Sequence, residues 1–229
     1  MTEYLWVSNE MKTVHSLCRV DSSIQGAASV TREIADEVEK AWLARLPGAG
    51  VVRRDLTQSP VSPAMWTDAL MGRRAETPTP AQQAAVALAT ELGDEVLAAD
   101  ALLVCAPLYN WGVSGHVKCW IDMLWTDPRF APRTYPLAGR PIVLVVARGG
   151  GASPGAPQEG WDHSVPYLVR MFGDEIFGGD VTVIETELTL ADRSPAMAHL
   201  RDRAADLRAR NHELAAATGA ALGERFATD

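Results

Sequence analysis

Residues 101–124 read ALLVCAPLYNWGVSGHVKCWIDML, and this stretch decides the fold. Its opening, Ala101 to Ala106, is a continuous apolar run of strand length that ends at Pro107. A short turn rich in aromatic and glycine residues follows. From Ser114–Gly115 onward apolar residues recur at Val117, Trp120, Ile121 and Leu124, the spacing of one helix face. A strand apolar on both faces, followed by a helix, is the repeating unit of a parallel α/β sheet. Such sheets bind ligands just beyond the carboxyl ends of their strands, so Leu108 to Gly112 is expected to face a ligand.

The same unit recurs on either side. Val14 to Val20 reads as a strand, followed by a helix from Ser29 to Arg45 with apolar residues at Val30, Ile34, Val38, Ala41 and Trp42. Val51 to Arg54 is a short strand, and Thr57 to Pro80 is an irregular, proline-containing stretch expected to form a lid-like loop. A helix from Pro80 to Ala98 has Thr79 as its N-cap and proline at its first position. Beyond the central unit lie a buried strand, Pro141 to Ala147, a helix over Trp161 to Phe177 and a last strand, Val181 to Ile184. A long terminal helix then runs from Ser194 to Arg225, with a possible interruption near Gly219. Five strands alternating with five helices predict a doubly wound five-stranded parallel sheet with helices on both faces. Residues 14–229 read as one domain, preceded by an extension over residues 1–13 that is unusually apolar at Tyr4 to Val7.

Composition narrows the function. A net charge of −8 with no basic run argues against nucleic acid or an anionic membrane surface as partner. No apolar run has the roughly 18 residues of a membrane span, and the first residues lack the pattern of a secretory signal. Cys18, Cys105 and Cys119 have no CxxC spacing and read as reduced structural thiols of a cytoplasmic protein. The phosphate-loop, HExxH, GxSxG and GxGxxG motifs are missing, and the five histidines show no metal-ligand spacing, so no metal is expected.

Three strand ends remain as ligand-facing loops. Asp21 to Thr31 places small hydroxyl residues before a helix start, where free N–H groups and the helix dipole favour a phosphate; plain capping by Ser29 is the alternative. Leu108 to Gly112 supplies aromatics. Arg148-Gly-Gly-Gly151 lets backbone N–H groups approach a ligand, unless it is a plain turn. Together they suit a flat aromatic ring with a phosphate tail, such as flavin mononucleotide (FMN).

Pro107-Leu-Tyr-Asn-Trp-Gly-Val-Ser-Gly-His-Val-Lys-Cys-Trp-Ile-Asp122 resembles the signature of the FMN-dependent NADH-azoreductase family, flavodoxin-like NAD(P)H:quinone oxidoreductases. Val145 to Gly150 and Asp21 to Thr31 resemble that family's fourth-strand loop and phosphate loop. The resemblance implies that Ser23, Ser29, Thr31 and the backbone of Val30 hold the FMN phosphate. It implies that Pro107, Leu108, Tyr109, Asn110 and Trp111 line the isoalloxazine, with the Asn110 backbone near N5, and that Arg148, Gly149 and Gly150 approach the N1/O2 end. It further implies a homodimer and two-step hydride transfer from NADH or NADPH to a quinone or azo compound, with no obligatory acid or base side chain. Val30 stands where many relatives have glutamine, and Ala147 where they have serine. Lys118 and Asp122, four apart, are expected to form an ordinary helix ion pair. Trp66, Trp120, Trp125, Phe130 and Trp161 are the expected wall of a substrate pocket for a bulky aromatic compound, with core packing as the alternative. A flavodoxin-like electron carrier and a flavin-free aromatic-binding protein are the other readings.

Overall fold

The computed structural model describes residues 15–227, so the apolar extension at residues 1–13 lies outside the described residues. Five parallel strands, β1 (Ser16–Asp21), β2 (Gly50–Asp55), β3 (Ala101–Tyr109), β5 (Pro141–Ala147) and β6 (Asp180–Thr186), form a sheet in the order β2-β1-β3-β5-β6. A two-residue strand, β4 (Gly112–Val113), folds back antiparallel on the end of β3. The helices are α1 (Val30–Arg45), α2 (Pro63–Gly72), α3 (Pro80–Ala98), α4 (Gly115–Leu124), α5 (Val165–Phe172) and α6 (Arg201–Glu224). The flavodoxin-like, doubly wound architecture follows the sequence reading.

Alternation along the buried strands sorts the core into two layers. Leu17, Leu103, Cys105, Val143 and Val145 face α1 and α6, while Val20, Leu102, Val104, Leu144 and Val146 face the helices of the opposite side. Arg19 is a buried charge in this interior, as are its partners Asp21 and Glu39. Its guanidinium donates to Asp21, to Asp36 at 2.6 Å and to Glu39 at 3.0 Å, so the buried charge is fully paired.

Three elements differ from the sequence reading. The stretch expected as a lid contains α2: Ser62 caps it by accepting from the Met65 N–H at 3.2 Å, and Pro63 occupies its first position. Ala69 is fully buried and Met65 packs on the core, so this segment belongs to the body of the fold. The helix expected from Trp161 begins only at Val165, because Asp162 Oδ1 accepts from the Ser164 and Val165 N–H groups and sets the start there. It ends at Phe172, where Gly173 turns extended. Finally, Gly219 does not interrupt α6. A β-carbon there would collide with the Val38 carbonyl oxygen and lie 2.9 Å from Ala41 Cβ, so the glycine sets how closely α6 packs on α1.

Candidate functional site

Each half of the site begins at a strand end. After β1, Ser22 donates to the Cys105 carbonyl at 2.7 Å and pins the following loop over β3. Gly26 takes a positive φ of 52°, which turns the chain into α1. Ser29 caps α1 by accepting from the Arg32 N–H at 3.3 Å, and its hydroxyl lies 3.0 Å from that of Thr31. Capping and phosphate binding are therefore compatible here: the cap uses one N–H, while those of Val30 and Thr31 precede the intrahelical ladder. Ser23, Ser29 and Thr31 are buried.

The loop after β3 is a two-residue hairpin. Tyr109 pairs with Gly112, and the turn residues Asn110 and Trp111 adopt φ values of 50° and 61°. This backbone suits Asn-Gly; a tryptophan in it is strained by roughly 1–2 kcal/mol, and strain of that kind gathers at functional sites. Tyr109 joins the two loops, since its hydroxyl accepts from the Ile24 N–H at 3.2 Å and lies 3.4 Å from Ser23 Oγ.

Beyond β5, the carbonyls of Arg148, Gly149 and Gly150 accept from Thr189, Leu190 and Leu188, so the chain after β6 runs alongside the glycines. A β-carbon on Gly149 would come within 2.5 Å of Leu190 Cδ1, and one on Gly150 within 2.5 Å of Gln158 Oε1. The Arg148 side chain is buried beside this loop. Its guanidinium donates to Asp162 Oδ2 at 2.9 Å and to Glu185.

Two cavities result. One of about 470 Å³ is lined by Ser23, Ser29, Val30, Thr31, Pro107 and Ala147, among others. The second, of about 320 Å³, is lined by Asn110, Trp111, Arg148 to Ala152, Gln158 and Trp161. Leu108, Tyr109, Gly149 and Leu190 border both. Volumes of this size suit a small ligand or cofactor. Trp111 and Trp161 meet edge to face at 5.6 Å and are each 51% exposed, an unusual state for two adjoining indoles.

All twelve residues expected to bind the cofactor line one cavity or the other. Of the expected substrate-pocket residues, Trp161 is the one that lines either of these two cavities. Trp120 and Phe130 are each 1% exposed, stacked on Phe172 at 6.0 Å and packed against Phe177 at 5.4 Å respectively, and Trp125 packs on Phe177 at 6.3 Å. Trp66 sits on α2, outside both linings. Trp120 and Phe130 are core residues, whereas Trp125 is exposed and Trp66 half-buried without lining either cavity. Lys118 and Asp122 form the expected ion pair at 2.7 Å.

Sequence reasoning missed one wall. Thr189, Leu190, Asp192 and Arg193, after β6, line the larger cavity together with Glu33 and Arg208. The signal was available: the strand-end rule applies to β6 as to the other strands, and Thr189 to Ser194 is polar.

Comparison with known proteins places these features in a family. A family model described as flavodoxin-like fold matches residues 15–210. A protein of Kineococcus radiotolerans named FMN-dependent NADH:quinone oxidoreductase is 42% identical, over 82% of this chain and 90% of that protein. A protein of the same name from Streptomyces avermitilis is 36% identical, over 93% of this chain and 99% of its own length. Among solved structures, an azoreductase from Bacillus anthracis superposes with a TM-score of 0.73 at 20% identity, covering 90% of this chain and 99% of that one.

Proposed function

The chain belongs to the flavodoxin-like fold family, among relatives named FMN-dependent NADH:quinone oxidoreductase, and we propose that it is itself an FMN-dependent oxidoreductase that reduces quinones or azo compounds with NADH. One observation carries this reading. Two adjoining cavities at the carboxyl ends of parallel strands join a cluster of buried hydroxyls at a helix N-terminus to an exposed pair of indoles. A phosphate suits the first end and a planar ring the second, and Gly149 keeps the backbone between them free of a side chain.

In this assignment the hydroxyls of Ser23, Ser29 and Thr31 and the Val30 N–H hold the phosphate. Pro107 to Trp111 and the backbone of Arg148 to Gly150 hold the ring. The flavin, when bound, supplies two-electron hydride chemistry between nicotinamide and acceptor. Backbone N–H groups at the glycine loop stabilise negative charge without a titrating side chain, so no protein acid or base is required. Trp111 and Trp161 offer their faces and edges to planar substrates, and Arg148 anchors the Trp161 turn through Asp162. The acceptor is a bulky aromatic compound, and the working unit is a homodimer.

The visible spectrum of the purified protein with added FMN, followed anaerobically on adding NADH, tests the reading. A bound yellow chromophore that bleaches with NADH and recovers with a quinone is expected. A protein that cannot be loaded with FMN would refute it. Light scattering tests the dimer.

A further inference from the structure

The larger cavity holds four charged side chains besides its hydroxyls: Glu33 on α1, Asp192 and Arg193 after β6, and Arg208 on α6. The stretch from Asp21 to Thr31, which supplies the hydroxyls, contains no lysine or arginine. A phosphate monoester brings nearly two negative charges at neutral pH. Two carboxylates and two guanidinium groups balance over the whole lining, so the charge a phosphate meets beside the α1 N-terminus depends on which of them are already paired.

The two arginines are not equivalent. Arg208 is committed to Glu33: its Nε donates to Glu33 Oε1 at 2.8 Å and its Nη2 to Oε2, while His212 Nε2 lies 2.6 Å from Oε1. The hydrogen bond from Arg208, followed by that from His212, holds the Glu33 carboxyl below the usual glutamate range, so it stays ionised and keeps its partner. Arg193 forms no ion pair among the described residues. Its N–H donates to the Leu190 carbonyl at 3.0 Å, closing the turn that presents its exposed side chain at the cavity.

We infer that Arg193 is a phosphate-recognition residue of this chain, its guanidinium pairing with the phosphate monoester held at the Ser29 and Thr31 hydroxyls. This rests on the FMN reading of the site. Arg208 screens Glu33 from the phosphate, and Arg193 supplies the countercharge that the hydroxyl loop lacks. A guanidinium fork matches two phosphate oxygens at once, which a lysine cannot do.

The experiment titrates flavin-free wild type, Arg193→Gln and Arg193→Lys with FMN and with riboflavin, following flavin fluorescence at low and high salt. In Arg193→Gln, FMN should bind about tenfold more weakly, with a flatter salt dependence, while riboflavin binds as in wild type. Arg193→Lys should recover part of the loss. Unchanged FMN affinity in Arg193→Gln overturns the assignment, and so does an equal loss for both flavins, which would mark a role in shaping the loop. Wild type that binds neither flavin would refute the proposed function and this inference together; wild type that binds FMN beside an unaffected Arg193→Gln would refute only the latter.

Discussion

Replacing Trp111 with glycine separates strain from function at the hairpin. At a φ of 61° tryptophan occupies left-handed backbone, which costs an L-residue roughly 1–2 kcal/mol that glycine does not incur. Against this, glycine loses about 0.5–1 kcal/mol through the freedom it regains in the unfolded chain. The edge-to-face contact with Trp161 at 5.6 Å disappears as well, worth about 0.5–1.5 kcal/mol and toward the low end because both rings are half exposed. These terms nearly cancel, and the resulting Asn-Gly turn is the sequence such a hairpin favours. Urea denaturation of Trp111→Gly should therefore give a stability within about 1 kcal/mol of wild type. Loss of one aromatic face should cost a planar acceptor about 1.4 kcal/mol, a tenfold fall in its kcat/KM, read as acceptor-dependent NADH oxidation. A stability loss above about 2 kcal/mol would show that the indole is structural. Unchanged kcat/KM for both small and fused-ring quinones would show that it does not face the acceptor.

Trp120→Ala should be destabilised by about 3–5 kcal/mol in the same denaturation assay, because this ring is fully enclosed against Phe172; a near-neutral result would return it to the pocket wall. Gly219→Ala should lower stability by about 1–3 kcal/mol despite the better helix propensity of alanine, since its β-carbon meets the Val38 backbone rather than a yielding side chain; a gain in thermal midpoint would refute the close-packing account. Glu33, whose folded pKa lies below the ordinary value, contributes stability that is present above about pH 4.3 and lost as pH falls through the lower folded value. Glu33→Gln should thus lose stability at neutral pH and show a shallower decline in acid; parallel wild-type and variant curves from pH 7 to 3 would exclude the contribution.

What could be read from the chain depended on how local the cause was. Thr79 and Gln82 form a reciprocal cap at the predicted start of α3, because capping needs only residues three apart. Apolar runs on β3 and β5 announced a parallel sheet, because burial on both faces leaves no polar alternation. From the sheet and the strand-end rule the three ligand loops followed, and so did Ser29, Thr31, Asn110 and Gly149 as their lining.

Other features depend on residues far apart in sequence. Whether an indole lines a cavity or fills the core is a matter of which helix face meets the sheet: Trp120 and Trp161 look alike in the chain and differ only in what lies across from them. The Arg148 guanidinium finds its partners in Asp162 and Glu185, 14 and 37 residues away. Gly219 reads as a helix breaker until α1 is seen packed against it. By itself, then, the sequence determined the order of elements, the sheet and the loops at its strand ends, since local periodicity and backbone chemistry suffice for these. Only the tertiary structure decided which aromatic lines a cavity, where each charge finds its partner, and that Arg193, without an ion pair among the described residues, lines the same cavity as Ser29 and Thr31, since these depend on contacts between segments that the chain alone keeps apart.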